Sequence, residues 1–165
     1  VVATGAAEVH PVCPGNDLAG LVTARAAERL HAAGVDLGRT VSIGTPPAGV
    51  PCDRVGGRLV RFEGDAAGRV SEVVTADPTT GAETTTPCDT AILGLGLAPR
   101  DVLARMAGPI PITVVGDAAD DHPLPPAPTE GVVCRCHAVT VDGLTGTPGQ
   151  LPKPEVAASP GWPNA

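Results

Sequence analysis

The chain has 165 residues, a formal net charge of −7 and a single lysine, Lys153. A surface of this charge repels phosphate backbones, so we expect no nucleic-acid binding. No run of about 18 consecutive apolar residues is present, so no membrane-spanning helix is predicted. The five cysteines are too scattered for a disulfide framework. With no secretory leader pattern at the start, they favour reduced thiols and a cytoplasmic location.

The length is that of one domain, but the composition predicts a thin core. The chain contains 21 Gly and 19 Pro, against one Phe, one Trp and no Tyr. Because aromatic rings bury the largest areas, a core made mainly of Ala and Val gains less from folding. We therefore expect a folded centre with less ordered ends.

Periodicity and turn residues predict an α/β chain. Apolar residues at helical spacing predict a helix over residues 17–33, with Asp17 as its N-cap and Gly34 as its stop. Further predicted elements are a parallel-type strand at 40–43, a meander of strands at 58–62, 69–76 and 90–95, a short helix at 101–106 and a strand at 112–115. A Pro-rich linker over 123–130 and a disordered Pro/Gly-rich tail over 145–165 follow.

Five segments occur in an informative order. They are Val1-Val2-Ala3-Thr4-Gly5-Ala6, Gly20 to Ala27, Cys88 to Pro99, Val114-Val115-Gly116-Asp117-Ala118-Ala119 and Cys134-Arg135-Cys136. The ordered set resembles FAD/NAD(P)-dependent oxidoreductases with two dinucleotide-binding domains. In particular it is similar to the α-subunit of heterotetrameric sarcosine oxidase and to related opine and hydroxyproline dehydrogenase subunits.

This resemblance implies an incomplete two-dinucleotide-domain fold, from a truncated and internally deleted family member. Residues 1–122 would form a partial oxidoreductase domain, and residues 131–144 part of a [2Fe–2S] segment like that of bacterioferritin-associated ferredoxin. The implied activity is a component of an FAD-dependent oxidoreductase of amines or amino acids, with electrons passing from flavin to cluster. Other oxidoreductase subunits would be its partners.

Two turns are the FAD-binding candidates that the resemblance implies, Thr4-Gly5 and Gly116-Asp117. A glycine at a strand end lets the backbone approach a ligand, and the Asp117 carboxylate can accept a hydrogen bond from a ribityl hydroxyl. From its residues alone, Gly116-Asp117 is equally well explained as an ordinary turn after a strand, and Thr4-Gly5 is better explained in that way.

The run from Gly44 to Gly49 stands where a nicotinamide-binding glycine turn would be. Such a turn needs a helix N-terminus directed at the pyrophosphate. Nine residues separate Gly49 from Leu59, too few for a crossover helix and a second strand. The spacing therefore argues against NAD(P) binding.

Cys134 and Cys136 are the predicted metal ligands. Residues two apart in an extended segment share a face, so both sulfurs could reach one iron, whereas a [2Fe–2S] cluster normally needs four thiolates. Cys13, Cys52 or Cys88 could complete the set by folding back, and His137 is a weaker candidate. The alternative is that both thiols are incidental.

Two functions stay open from the residues. One is a component of a flavin-dependent oxidoreductase, in which the cofactor performs the chemistry and the protein binds and orients it. The other is a non-catalytic fragment, or a scaffold subunit of a larger oxidoreductase. No residue can be named as catalytic.

Overall fold

The structure, a computed structural model, describes residues 1–119, 130–134 and 139–141, with the backbone alone for Val133, Cys134 and Val139. The elements are β1 (Ala6–Glu8), β2 (Leu21–Thr23), α1 (Ala24–Ala32), β3 (Thr40–Gly44), β4 (Asp53–Val55), β5 (Arg58–Gly64), β6 (Val70–Ala76), β7 (Glu83–Pro87), β8 (Thr90–Gly94), β9 (Leu97–Pro99), α2 (Val102–Met106), a 3₁₀ helix (Gly116–Ala118), β10 (Val132–Cys134) and β11 (Val139–Thr140). The predicted linker over 123–130, except for Glu130, and the predicted tail over 145–165 lie outside the described residues. Within the described ranges, no helix is long and apolar enough to cross a membrane.

A four-stranded parallel sheet forms the centre of the molecule. Its order is β2-β8-β3-β4, and β3 pairs with β8 along its whole length, from Thr40 opposite Thr90 to Gly44 opposite Gly94. The first four residues of both central strands are buried. This is the continuous burial expected of parallel strands that are covered on both faces. The predicted α/β class is confirmed.

Alternate residues of the central strands enter two different cores. Val41, Ile43 and Leu93 pack in one cluster with Phe62 of β5 and with Val70 and Val73 of β6. Ile92 points to the opposite face, where a second cluster holds Ala27, Val50 and the half-buried Val22, Leu37 and Cys52. One face of the sheet is thus covered by the antiparallel strands, and the other by α1 and the loop that contains Val50.

The antiparallel meander consists of β5, β6 and β7, so the prediction that residues 90–95 supply its third strand is wrong. Residues 83–87 take that place, with Glu83 opposite Ala76 and Pro87 opposite Glu72. Four of the five residues of β7 are exposed. Because β7 is an edge strand with no buried face, its sequence lacks the hydrophobic alternation from which a strand could be predicted.

The helix predicted over residues 17–33 is shorter than expected. It begins at Ala24, because Leu21–Thr23 instead forms β2, which pairs in parallel with Ala91–Leu93. Asp17 is therefore not its N-cap. The carboxylate of Glu8 lies at the helix start, where it accepts hydrogen bonds from the Thr23 hydroxyl at 2.7 Å and the Arg25 N–H at 2.9 Å.

The connection from β3 to β4 contains no helix, as the spacing predicted. The expectation that no second strand fits there is wrong, since Asp53–Val55 pairs in parallel with Val41–Ile43. The loop 45–52 alone brings the chain back to the start of the sheet. Val50 of this loop packs on Ile92, so part of the sheet face is covered by a loop residue.

The ends of residues 1–119 meet beside this sheet. β1 and β9 form an antiparallel ribbon in which Ala6 lies opposite Pro99 and Glu8 opposite Leu97. Val2 forms a parallel bridge with Val114. The strand predicted at 112–115 is reduced to this bridge, because no further strand of the described residues lies beside it.

Candidate functional site

The two predicted flavin turns follow the same pair of parallel segments. The Val2 N–H donates to the Thr113 carbonyl oxygen at 2.8 Å, and Val2 pairs in parallel with Val114. Because parallel segments run to the same edge, Thr4-Gly5 and Gly116-Asp117 emerge on one side of the pair. The structure thus brings together the four residues that were predicted to bind FAD.

Gly5 offers an open backbone. Its φ of +68° lies in the left-handed region, which favours glycine, and a Cβ placed there would meet nothing within 4 Å. The neighbouring Thr4 hydroxyl donates to the carbonyl oxygen of Arg100, and the Arg100 N–H donates to the Gly5 carbonyl oxygen at 2.9 Å. The Thr4 hydroxyl is therefore used within the protein, whereas one side of the Gly5 backbone is free.

Gly116 repeats this arrangement. Its φ is also +68°, and the space around its Cβ position is empty. The next residue, Asp117, has a half-exposed carboxylate with Oδ2 at 3.8 Å from an Arg25 guanidinium nitrogen. That separation is too long for a hydrogen bond, so the carboxylate can still accept one. This edge of the chain therefore carries two open glycines and a half-exposed carboxylate.

The run from Gly44 to Gly49 is built differently. Gly44 has a φ of +84°, and a Cβ there would overlap the carbonyl oxygen of Gly94. The Thr45 N–H donates to that same oxygen at 2.9 Å. Glycine at position 44 is thus explained by the close approach of β3 and β8, without any ligand. Gly49, with a φ of +71°, lies within the loop 45–52, and a Cβ there would meet nothing within 4 Å.

A cavity of about 300 Å³ lies at the carboxyl ends of β3 and β8, the position at which open α/β sheets bind ligands. Glu8, Arg25, Glu28 and Thr45 are among its lining residues. Glu28 accepts a hydrogen bond from the Ala48 N–H at 2.8 Å. Glu8 and Glu28 were not among the predicted site residues, because their partners lie in distant parts of the chain and no short motif contains them.

The segment before the predicted cluster ligands folds back onto the loop around Cys13. The Asn16 side chain donates to the Val132 carbonyl oxygen at 2.9 Å and accepts from the Val132 N–H at 3.2 Å. A Cβ at Gly131 would collide with the backbone of Cys13. The side chain of Cys134 and all of Cys136 and His137 lie outside the described residues, so the predicted ligand pair stays a prediction.

Cys13 is poorly suited to serve as a further cluster ligand. Its thiol is buried, and burial, with a smaller contribution from Glu130, raises its pKa from 9.0 to about 11. Cluster ligation needs the thiolate form. In the described part of the chain, no three His, Cys, Asp or Glu side chains form a group that could hold a metal ion.

We expect the thiols to differ sharply in reactivity. Cys13 and Cys88 are buried with pKa values of about 11, mainly because of desolvation, whereas Cys52 is partly exposed. A short pulse of iodoacetamide at neutral pH, mapped by mass spectrometry, should label Cys52 and spare the other two. Equal labelling of Cys13 and Cys52 would contradict the burial.

The same two thiols give stability a pH dependence with a definite sign. Their pKa values in the folded state, about 11, exceed the ordinary value of 9.0. The unfolded chain therefore loses these protons first as the pH rises. The free energy of unfolding should keep the full contribution of these two thiols below pH 9 and should fall between pH 9 and pH 11. Urea titrations across this range will show it, and a Cys88→Ala variant should fall less steeply.

No protein-family model and no curated protein matches the chain. Solved structures do. A thioredoxin reductase from T. acidophilum superposes with a TM-score of 0.56 at 15% identity, over 73% of this chain and 57% of that one. An L-proline dehydrogenase from P. horikoshii superposes with a TM-score of 0.48 at 22% identity, over 64% of this chain and 22% of that one.

A FAD-dependent pyridine nucleotide-disulphide oxidoreductase from Desulfovibrio vulgaris gives a TM-score of 0.46 at 21% identity, over 64% of this chain and 37% of that one. This chain therefore spans only part of each of these proteins. The thioredoxin reductase superposition shows a shared fold, that of part of an FAD/NAD(P)-binding oxidoreductase.

Proposed function

We propose that the chain, which has the fold of part of an FAD/NAD(P)-binding oxidoreductase, is a component of an FAD-dependent oxidoreductase. The turns Thr4-Gly5 and Gly116-Asp117 would hold the ribityl side of FAD. The observation that supports this proposal is their convergence at one edge through the pairing of Val2 with Val114. When bound, FAD would supply the hydride chemistry.

The two glycines and Asp117 have different tasks in this proposal, while the Thr4 hydroxyl is held within the protein by the Arg100 carbonyl oxygen. The open backbones of Gly5 and Gly116 would let the ligand approach closely. The Asp117 carboxylate would accept a hydrogen bond from a ribityl hydroxyl and fix the orientation of the ligand. Arg25, 3.8 Å away, would partly offset the carboxylate charge and keep Asp117 directed toward α1.

The finer parts of the proposal rest on the family resemblance. They are an amine or amino acid as substrate, a cytoplasmic location, and Cys134 and Cys136 as two of the four thiolates of a [2Fe–2S] cluster.

Retention of FAD after desalting tests the proposal. The wild-type chain should keep flavin absorption, and Asp117→Ala should weaken FAD binding about tenfold, the value of one hydrogen bond to a charged group. Asp17→Asn is the control, because Asp17 is exposed and belongs to neither turn. Absence of flavin in the wild type, or equal retention in both variants, would overturn the proposed FAD site.

The alternative function is a non-catalytic scaffold or interaction subunit. The specific observation in its favour is the connection from β3 to β4, where a loop replaces the helix whose N-terminus would hold a dinucleotide pyrophosphate. A wild-type chain that keeps no FAD, yet unfolds in one cooperative transition, would support this alternative.

A further inference from the structure

We propose that Glu8 and Glu28 make the cavity at the carboxyl ends of β3 and β8 selective against phosphate-bearing ligands. The inference does not depend on the FAD proposal, which concerns the turns at Gly5 and Gly116. It assigns a specificity role to two carboxylates. Both lie where this fold class places the anionic part of a ligand.

The first carboxylate occupies the start of α1. The first N–H groups of a helix have no partner within the helix and attract anions. Here Glu8 accepts the Arg25 N–H at 2.9 Å and the Thr23 hydroxyl at 2.7 Å. A donor that could face a phosphate is therefore already paired with an anionic group of the protein.

The second carboxylate occupies the loop after β3. In dinucleotide-binding folds the backbone N–H groups after the first strand hold the pyrophosphate. In this chain the Ala48 N–H of that loop donates to Glu28 at 2.8 Å. Glu28 is a residue of α1 that lines the cavity, so this loop N–H is already paired with an anionic group of the protein.

The charges around the cavity add to this effect. Glu8 and Glu28 line it together with one cation, Arg25. Arg25 itself lies 3.8 Å from the carboxylate of Asp117, which offsets its positive charge. The walls therefore carry a net negative charge, and a pyrophosphate would meet repulsion as well as occupied donors.

Replacement of both residues by glutamine tests the inference. Glutamine keeps an acceptor oxygen for the Arg25 and Ala48 N–H groups but removes the charge, so α1 should still form. Binding of inorganic pyrophosphate and of NADH is measured by isothermal titration calorimetry. Wild type should bind neither, and Glu8→Gln/Glu28→Gln should bind pyrophosphate with affinity raised on the order of tenfold or more.

The control Glu63→Gln/Glu72→Gln changes the net charge equally on the meander, away from the cavity, and should leave binding as weak as in wild type. If the Glu8→Gln substitution unfolds the chain, Glu28→Gln alone is used for the test. Its affinity for pyrophosphate should rise by less than that of the double variant. The gain should also shrink in high salt, because salt screens partly exposed charges. Equal affinity in wild type and double variant, whether tight or undetectable, would overturn the inference.

Discussion

Gly94→Ala should destabilise the protein by about 3 kcal/mol or more, beyond the usual cost of adding a methyl group to a packed core. A Cβ at this position would overlap the carbonyl oxygen of Thr45 and crowd its backbone nitrogen. The obstacle is backbone rather than a flexible side chain, so the overlap can be relieved only by separating β3 from β8. These two strands form the centre of the parallel sheet.

Gly56→Ala is the matched control for this variant. Gly56 has no positive φ, and a Cβ there would meet nothing within 4 Å. Alanine at such a position should leave stability unchanged or raise it by about 0.4–1 kcal/mol, because it restricts the unfolded chain. Urea unfolding followed by circular dichroism compares the two. Similar midpoints for both variants would show that the strand ends are not closed as described.

Phe62→Ala should cost about 3–5 kcal/mol, the range found for removal of a buried aromatic side chain. Phe62 is the only phenylalanine of the chain and is 3% exposed in the core between the meander and the parallel sheet. Its N–H also donates to the Pro14 carbonyl oxygen at 3.0 Å. A domain of this size typically has about 5–15 kcal/mol of stability in total, so much of it depends on this ring.

Leu103→Ala provides the comparison for Phe62→Ala. Leu103 lies on α2 and is 60% exposed, so its truncation should change stability by no more than about 0.5 kcal/mol. Thermal unfolding of the two variants separates a loss of core packing from a loss of hydrophobic surface. A small effect of Phe62→Ala would mean that the meander contributes little to the stability of the sheet.

Buried, regularly patterned elements could be predicted from local sequence. Strand β3 and the strands at 58–62 and 69–76 were predicted within one or two residues, because their apolar residues are numerous. Strands β2 and β4 have three residues each, and Asp53-Arg54 has no strand character at all. Their conformation depends on pairing with β8 and β3, which local periodicity does not reveal.

The candidate site depended on the tertiary fold in a similar way. Thr4-Gly5 and Gly116-Asp117 were identified through the order of the motifs, but their proximity follows from the Val2–Val114 bridge between distant segments. The roles of Glu8 and Glu28 could not have been inferred, since an isolated glutamate is most often solvated. Only the folded chain shows that each one pairs with a backbone N–H.

The ribbon of β1 and β9 makes residues 6–99 an inserted module with adjacent ends. The two strands run side by side, and the Val9 N–H donates to the Gly96 carbonyl oxygen at 3.0 Å. A segment with neighbouring ends is a good candidate for excision or circular permutation. We expect residues 6–99 to fold as an isolated fragment, although they lose the Gly131–Val132 cover over Cys13 and Asn16. They also lose the ion pair of Arg25 with Asp117 and the packing of the 3₁₀ helix on β9. In evolutionary terms, such a module can be acquired, shortened or lost without altering the path of the surrounding chain.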